Sequence, residues 1–137
     1  MKWADQLIKL SNFELEVLQV RLADIVERRT LAELRLAVLA AEGESEVAFA
    51  RTNPEAARTL PAFNEGLKRR KAEVQQRIDQ AVAEEAGARD ALTHAFETLK
   101  KYEQIAETAR LAEVKETARR ESAALDELGL RQASGRR

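Results

Sequence analysis

The chain has 137 residues, of which 34% are charged and 45% hydrophobic, with four Phe, one Trp, one Tyr and five Gly. This balance, weighted towards Ala, Glu, Leu and Arg, suits one domain of long helices and excludes a β-sandwich or a doubly wound sheet. The 23 basic residues against 24 acidic ones leave a net charge of −1 and no electrostatic footprint for general nucleic-acid binding, and the lack of cysteine excludes disulfide and thiol chemistry and suits a reducing compartment.

The opening stretch MKWADQLIKL shows neither the apolar region of a signal peptide nor a cleavage site. No run approaches the ~18 apolar residues needed to span a bilayer. The expected setting is therefore soluble and cytoplasmic.

The first predicted helix runs from about Ala4 to Ala41 and is apolar on two opposite sides. With Ile8 as a heptad a position, the a and d sites are Ile8, Ser11, Leu15, Leu18, Leu22, Ile25, Arg29, Ala32, Leu36 and Leu39, all apolar but Ser11 and Arg29. The c and f sites are Leu10, Phe13, Val17, Val20, Asp24, Glu27, Leu31, Leu34 and Val38, all apolar but Asp24 and Glu27. At about 100° per residue the second stripe lies nearly opposite the first, so one partner helix covers only one of them. An interfacial membrane helix would carry a Lys/Arg-rich polar face, whereas acids and bases alternate along these flanks.

Breakers gather in one region. Gly43 weakens the first helix, and Arg51-Thr52-Asn53-Pro54 followed by Leu60-Pro61 interrupts it. Asn53 suits an N-cap with Pro54 at the first helical position, and Pro61 permits a second start, so Asn53 and Leu60 are expected to be non-helical or kinked. The turn is placed within residues 47–62.

Beyond it, apolar residues recur at a spacing of three and four: Val74, Ile78, Ala81, Glu85, Ala88, Leu92, Ala95, Leu99, Tyr102, Ala106 and Ala109, with Glu85 the one charged intruder. The opposite face is polar. The pattern weakens past Ala109, Leu125 and Leu128 persist, and Gly129 suits a C′ position. The predicted fold is all-α: two long helices in an antiparallel hairpin coiled coil over residues 1–128, the second longer, with a disordered basic tail over 129–137. Antiparallel a-to-d layering gives registers in which paired residue numbers sum to about 110 or 117. Either places Arg29 and Glu85 in adjacent layers, and an ion pair between them is expected to fix the register at some cost in stability. The same registers set Met1 beside a residue near 109 or 116, so the second helix overhangs by roughly a dozen residues.

No catalytic constellation is visible. The five glycines complete no Walker or dinucleotide pattern. His94, the single histidine, falls on the polar face of the second helix, and no Cys/His set exists for zinc. The carboxylates sit on helix faces where solvation and i,i+4 pairing explain them. The chain is read as a non-enzyme without cofactor, metal or small-molecule substrate.

Three features remain as binding candidates. The c/f stripe (Leu10, Phe13, Val17, Val20, Leu31, Leu34 and Val38) either meets a partner or packs inside a homo-oligomer. Lys68-Arg69-Arg70-Lys71 is either a solvated helix turn or a contact for an acidic partner. With Arg136-Arg137, this cluster also carries the weaker idea of a nucleic-acid tether. Trp3 lies off the seam, as a cap over the coil end or as an interface anchor.

These residues resemble a family. Lys2 and Leu7-Ile8-Lys9-Leu10, followed by a long helix rich in Arg and Glu, are similar to the start of the flagellar export protein FliJ family. Ala95-Phe96-Glu97-Thr98-Leu99-Lys100-Lys101-Tyr102-Glu103 looks like that family's more recognisable stretch, and Ala123-Ala124-Leu125-Asp126-Glu127 like its acidic close. The resemblance implies a cytoplasmic component of the type III export apparatus, peripheral at the flagellar basal body. Its implied fold is a two-helix coiled coil like the central stalk of rotary ATPases. Its implied partners are the export ATPase, the export gate and export chaperones, with membrane contact only through them, and its implied state is a monomer or weak homo-oligomer. By analogy with that stalk, Lys2, Trp3, the stretch from about Thr117 to Leu128 and the basic tail would enter the ATPase pore. The first twenty residues hold only Lys2 and Lys9 as bases, fewer than in many relatives, which puts a basic contact there in doubt.

Overall fold

The computed structural model describes residues 2–135, and over that range the chain is two helices and a three-residue connection. Helix α1 spans Lys2–Ala50 and α2 spans Pro54–Gly135. The two pack against each other, α2 is the longer, and no strand occurs among the described residues. The pairing of Met1 and the basic pair Arg136-Arg137 lie outside the described residues.

The connection is Arg51, Thr52 and Asn53. Thr52 closes α1 by donating its backbone N–H to the Phe49 carbonyl at 3.2 Å. Asn53 caps α2: its Oδ1 accepts the backbone N–H groups of Glu55 and Ala56, each at 3.1 Å, satisfying two donors that have no partner inside the helix. Pro54 follows at the first helical position, where its missing N–H costs nothing.

Three sequence expectations change. Helix α1 does not fade after Ala41 but passes through Gly43 to Ala50. Leu60 and Pro61 are helical, so there is no second start. Pro61 removes one donor to the Ala57 carbonyl, but both residues lie on the exposed face, where solvent hydrates that carbonyl and the ring has room. At the other end α2 continues through Gly129 to Gly135, where a break near Leu128 and a disordered tail were expected. A C′ glycine stops a helix by taking positive φ, and no glycine here does so. An i,i+4 pair between Glu127 and Arg131 instead bridges the position at 3.0 Å.

The helices divide into two compact units, Glu16–Thr93 and the pair of segments Met1–Leu15 with His94–Arg137. In the first unit the core is Leu39, Leu67, Val74 and Ile78, with Ala32, Leu36 and Phe63 packed against it. Leu39 is 0% exposed. Gly43 is needed here: a Cβ at that position would stand 2.5 Å from Leu67 Cδ2, so the absent side chain lets the helices close around Leu67. Ile25, Ala81 and Ala88 continue the buried side.

In the second unit Ala4, Ser11 and Leu15 of α1 and Leu99 of α2 are buried, while Tyr102, Ala106 and Ala109 are half-buried. From Leu111 to Gly135 every residue except Glu116 is exposed. The seam face itself turns polar there, as Glu113, Glu116, Arg120 and Glu127. Leu111, Val114, Ala118, Leu125 and Leu128 lie roughly 145° round the helix from it.

Candidate protein-interaction surface

The a/d stripe of α1 is its buried side, so the c/f stripe is left in solvent. In the Glu16–Thr93 unit Val17, Val20, Leu31, Leu34 and Val38 are exposed, Leu34 by 60%. In the other unit Trp3, Leu10 and Phe13 are exposed, Trp3 by 51% and Phe13 by 62%. Large apolar side chains thus recur along one exposed face of α1. Asp24 and Glu27 interrupt the stripe and are themselves exposed. A covering helix would therefore need bases opposite them.

Arg29 and Glu85 meet in the seam. Arg29 Nε donates to Glu85 Oε2 at 2.7 Å, and one layer along Arg28 donates to Glu84 Oε2 at 2.6 Å. Glu85 is also held by Arg89 at 2.8 Å, and Arg29 by Glu33 at 3.0 Å, so one cross-helix bond and two i,i+4 bonds form a network, with Arg28–Glu84 a separate pair beside it. The Glu85 side chain is only 13% exposed, yet both its oxygens are bonded. Hydrogen bonds from Arg89 and then Arg29 hold its carboxyl below the usual carboxylate range. The same contacts, Glu85 first and Glu33 second, push the Arg29 guanidinium up.

The remaining candidates sit apart from this network. Arg70, from the basic run, lies over the Phe63 ring at 6.0 Å and donates to the Gly66 carbonyl at 3.4 Å. Lys68 and Arg69 are exposed and Lys71 is half-buried. His94 is a surface residue with Glu97 3.9 Å away. Among the described residues no group of His, Cys, Asp or Glu is disposed to hold a metal ion, and no helix is long and apolar enough to cross a membrane.

Two surfaces escaped the sequence reading. One is the exposed apolar face of α2 beyond Ala109, whose signal is the heptad Leu111, Val114, Ala118, Leu125 and Leu128, displaced from the seam. The other is a groove between the helices in the Glu16–Thr93 unit, lined on α1 by Arg28, Leu31, Ala32 and Arg35 and on α2 by Arg77, Gln80 and Ala81. No local pattern could reveal it, because it exists only once the register brings Ala32 near Ala81.

Comparison with known proteins gives a consistent relationship along the chain. The family model described as "Flagellar FliJ protein" matches residues 4–137. Two curated relatives named "Flagellar FliJ protein", from Caulobacter vibrioides strains NA1000 / CB15N and ATCC 19089 / CIP 103742 / CB 15, are each 49% identical over 133 residues, covering 97% of this chain and 96% of theirs. No solved structure matches. The chain belongs to the flagellar FliJ family, and its role is a flagellar, export-related one.

Proposed function

We propose that the chain is an adaptor or stalk of the flagellar type III export apparatus, cytoplasmic and peripheral at the basal body, that works by presenting helix faces to the export ATPase, the export gate and export chaperones. The observation that carries this reading is the exposed apolar stripe of α1. A helix of this length needs one buried face to pack against α2, and α1 carries a second face of large side chains that the fold leaves in water. Leaving a row of Leu, Val and Phe side chains hydrated forfeits roughly 25 cal/mol per Å² of apolar surface, which a docking helix recovers. Asp24 and Glu27 then set the register of the partner against Arg or Lys.

The test is Phe13→Asp with Leu34→Asp in a strain lacking the native copy. Both residues are more than half exposed, so helicity and melting temperature should hold while binding to purified export ATPase or gate domain falls at least tenfold and motility is lost. Normal motility and unchanged binding would overturn the reading. An equal fall in the melting temperature of the purified protein would show that the stripe is internal, as in a bundle of two hairpins, and sedimentation equilibrium would then give a stable oligomer.

A further inference from the structure

We infer that the groove between α1 and α2 in the Glu16–Thr93 unit is a docking site for an acidic amphipathic helix of a partner protein, with a partner carboxylate held between Arg35 and Arg77. The inference rests on the adaptor reading above and names a second surface and the chemistry of what fits it.

The groove has a volume of about 480 Å³. Its apolar lining is the buried Ala81, the half-buried Ala32 and, at the outer edge, the exposed Leu31 of the c/f stripe. Ala32 and Ala81 are small, and with Leu31 they leave an apolar strip between the arginines, with Gln80 the one uncharged polar side chain beside it. Its rim is cationic: Arg28 and Arg35 stand two turns apart on α1, and Arg77 stands on α2.

The three arginines are not equivalent. Arg28 is already engaged by Glu84 at 2.6 Å, which closes one end of the groove. Arg35 and Arg77 lie on opposite helices, and among the described residues neither enters a salt bridge nor donates a side-chain hydrogen bond. Arg21, Arg51, Arg58 and Arg69 are likewise without a carboxylate partner among the described residues, and Arg35 and Arg77 differ from them in lining one hollow from opposite helices. In a chain with as many acids as bases, two unpaired guanidinium groups lining one hollow leave a local charge for which the fold supplies no counterpart.

Guanidinium groups favour planar carboxylates, which they bind through two parallel hydrogen bonds. The apolar strip asks for a hydrocarbon side chain beside that acid. A helix with Glu or Asp three or four residues from a Leu, Ile or Phe presents both on one face and supplies this pair. A phosphate polymer would satisfy the arginines but leave Leu31 and the alanine hollow wet, and the chain's net charge of −1 offers no wider field to hold it. The charge pattern therefore favours protein over nucleic acid.

The probe is a fluorescent 18-residue helical peptide with Leu and Glu alternating at three- and four-residue spacing, read by anisotropy against the full chain. Arg35→Gln with Arg77→Gln should weaken its binding about tenfold, while Arg21→Gln with Arg58→Gln, the same change in charge elsewhere in the unit, should leave it within about twofold. All four side chains lie on the surface or its rim, and circular dichroism should show unchanged melting for both variants. Failure of the peptide to bind, equal binding by the Arg35/Arg77 variant, equal binding of a Lys-for-Glu peptide, or equally strong competition by an 18-nucleotide single strand would each overturn the inference. The Phe13/Leu34 variant separates this outcome from the adaptor reading. If that variant loses export-apparatus binding while the groove variant retains the peptide, the groove assignment alone falls; unchanged motility in the stripe variant removes the adaptor reading instead.

Discussion

Helix α2 passes through two settings with similar composition and different support. Between Pro54 and Thr93 its Leu67, Val74, Ile78 and Ala81 are buried against α1. Between Leu111 and Gly135 every residue but Glu116 is exposed, and Leu111, Val114, Leu125, Leu128 and Leu130 are all more than half exposed. The first stretch is helical because packing rewards it. The second relies on the intrinsic preference of Ala, Glu, Arg, Lys and Leu for the helix and on ladders such as Glu116–Arg119 and Glu127–Arg131. Isolated helices held this way are marginal and sensitive to salt. One helix thus joins a stretch stabilised within the chain to a stretch whose apolar face has no cover of its own.

The same truncation in both settings should expose that difference most strongly. Leu39→Ala removes a fully buried side chain from the core cluster and should cost about 3 kcal/mol, seen as a large drop in melting temperature. Leu125→Ala removes a side chain that is 68% exposed and should shift stability by less than about 0.5 kcal/mol. A comparable loss at Leu125 would mean that the far end of α2 is buried in solution, against a second copy or another segment.

Glycine sharpens the comparison on a smaller scale. Replacing glycine by alanine inside a helix gains about 1 kcal/mol in propensity. At Gly129 a new Cβ meets nothing within 4 Å, so Gly129→Ala should be stabilising and raise the helical signal. At Gly43 the same atom would stand 2.5 Å from Leu67 Cδ2, and Leu67 is locked in the core. Overpacking there outweighs the gain, so Gly43→Ala should be net destabilising by about 1 kcal/mol in urea unfolding. The two substitutions should differ in sign.

How much of this is readable in the sequence follows from which forces are local. The seam stripes announce themselves by spacing, and Asn53-Pro54 carries its cap in its own side chains. Arg29 and Glu85 stand out as charges in apolar stripes, and their 2.7 Å contact belongs to the structure. Leu60-Pro61 misleads because the cost of a helical proline depends on whether the orphaned carbonyl reaches solvent, which only the fold decides. Gly129 misleads because a stop needs positive φ and a reason to take it, and the flanking Glu127–Arg131 pair supplies the opposite. The Arg35–Arg77 groove is a property of register, since neither helix contains it alone.

The smallest expected effect concerns the charges inside the seam. Glu85 is held below its unfolded range by Arg89 and Arg29, so its folded form binds a proton less readily than the unfolded chain does. A depressed carboxylate contributes stability that is fully present above the unfolded value of 4.5 and disappears as the pH falls through the lower folded value. Melting temperature should therefore decline as the pH is lowered below about 4.5, and part of that decline belongs to this group. Glu85→Gln removes the titration while keeping the shape. The variant should be less stable at neutral pH, because Arg29 keeps only Glu33 and Arg89 loses its carboxylate, and the two proteins should converge in acid. Glu107 and Glu116 are depressed by Arg110 and Arg119 further along α2, where their pairs are more exposed and more readily screened. Raising salt should therefore flatten the acid limb that remains in Glu85→Gln more than the difference between the variant and the parent chain. A difference that vanishes in moderate salt would place the Arg29–Glu85 contact in the same class as those surface pairs.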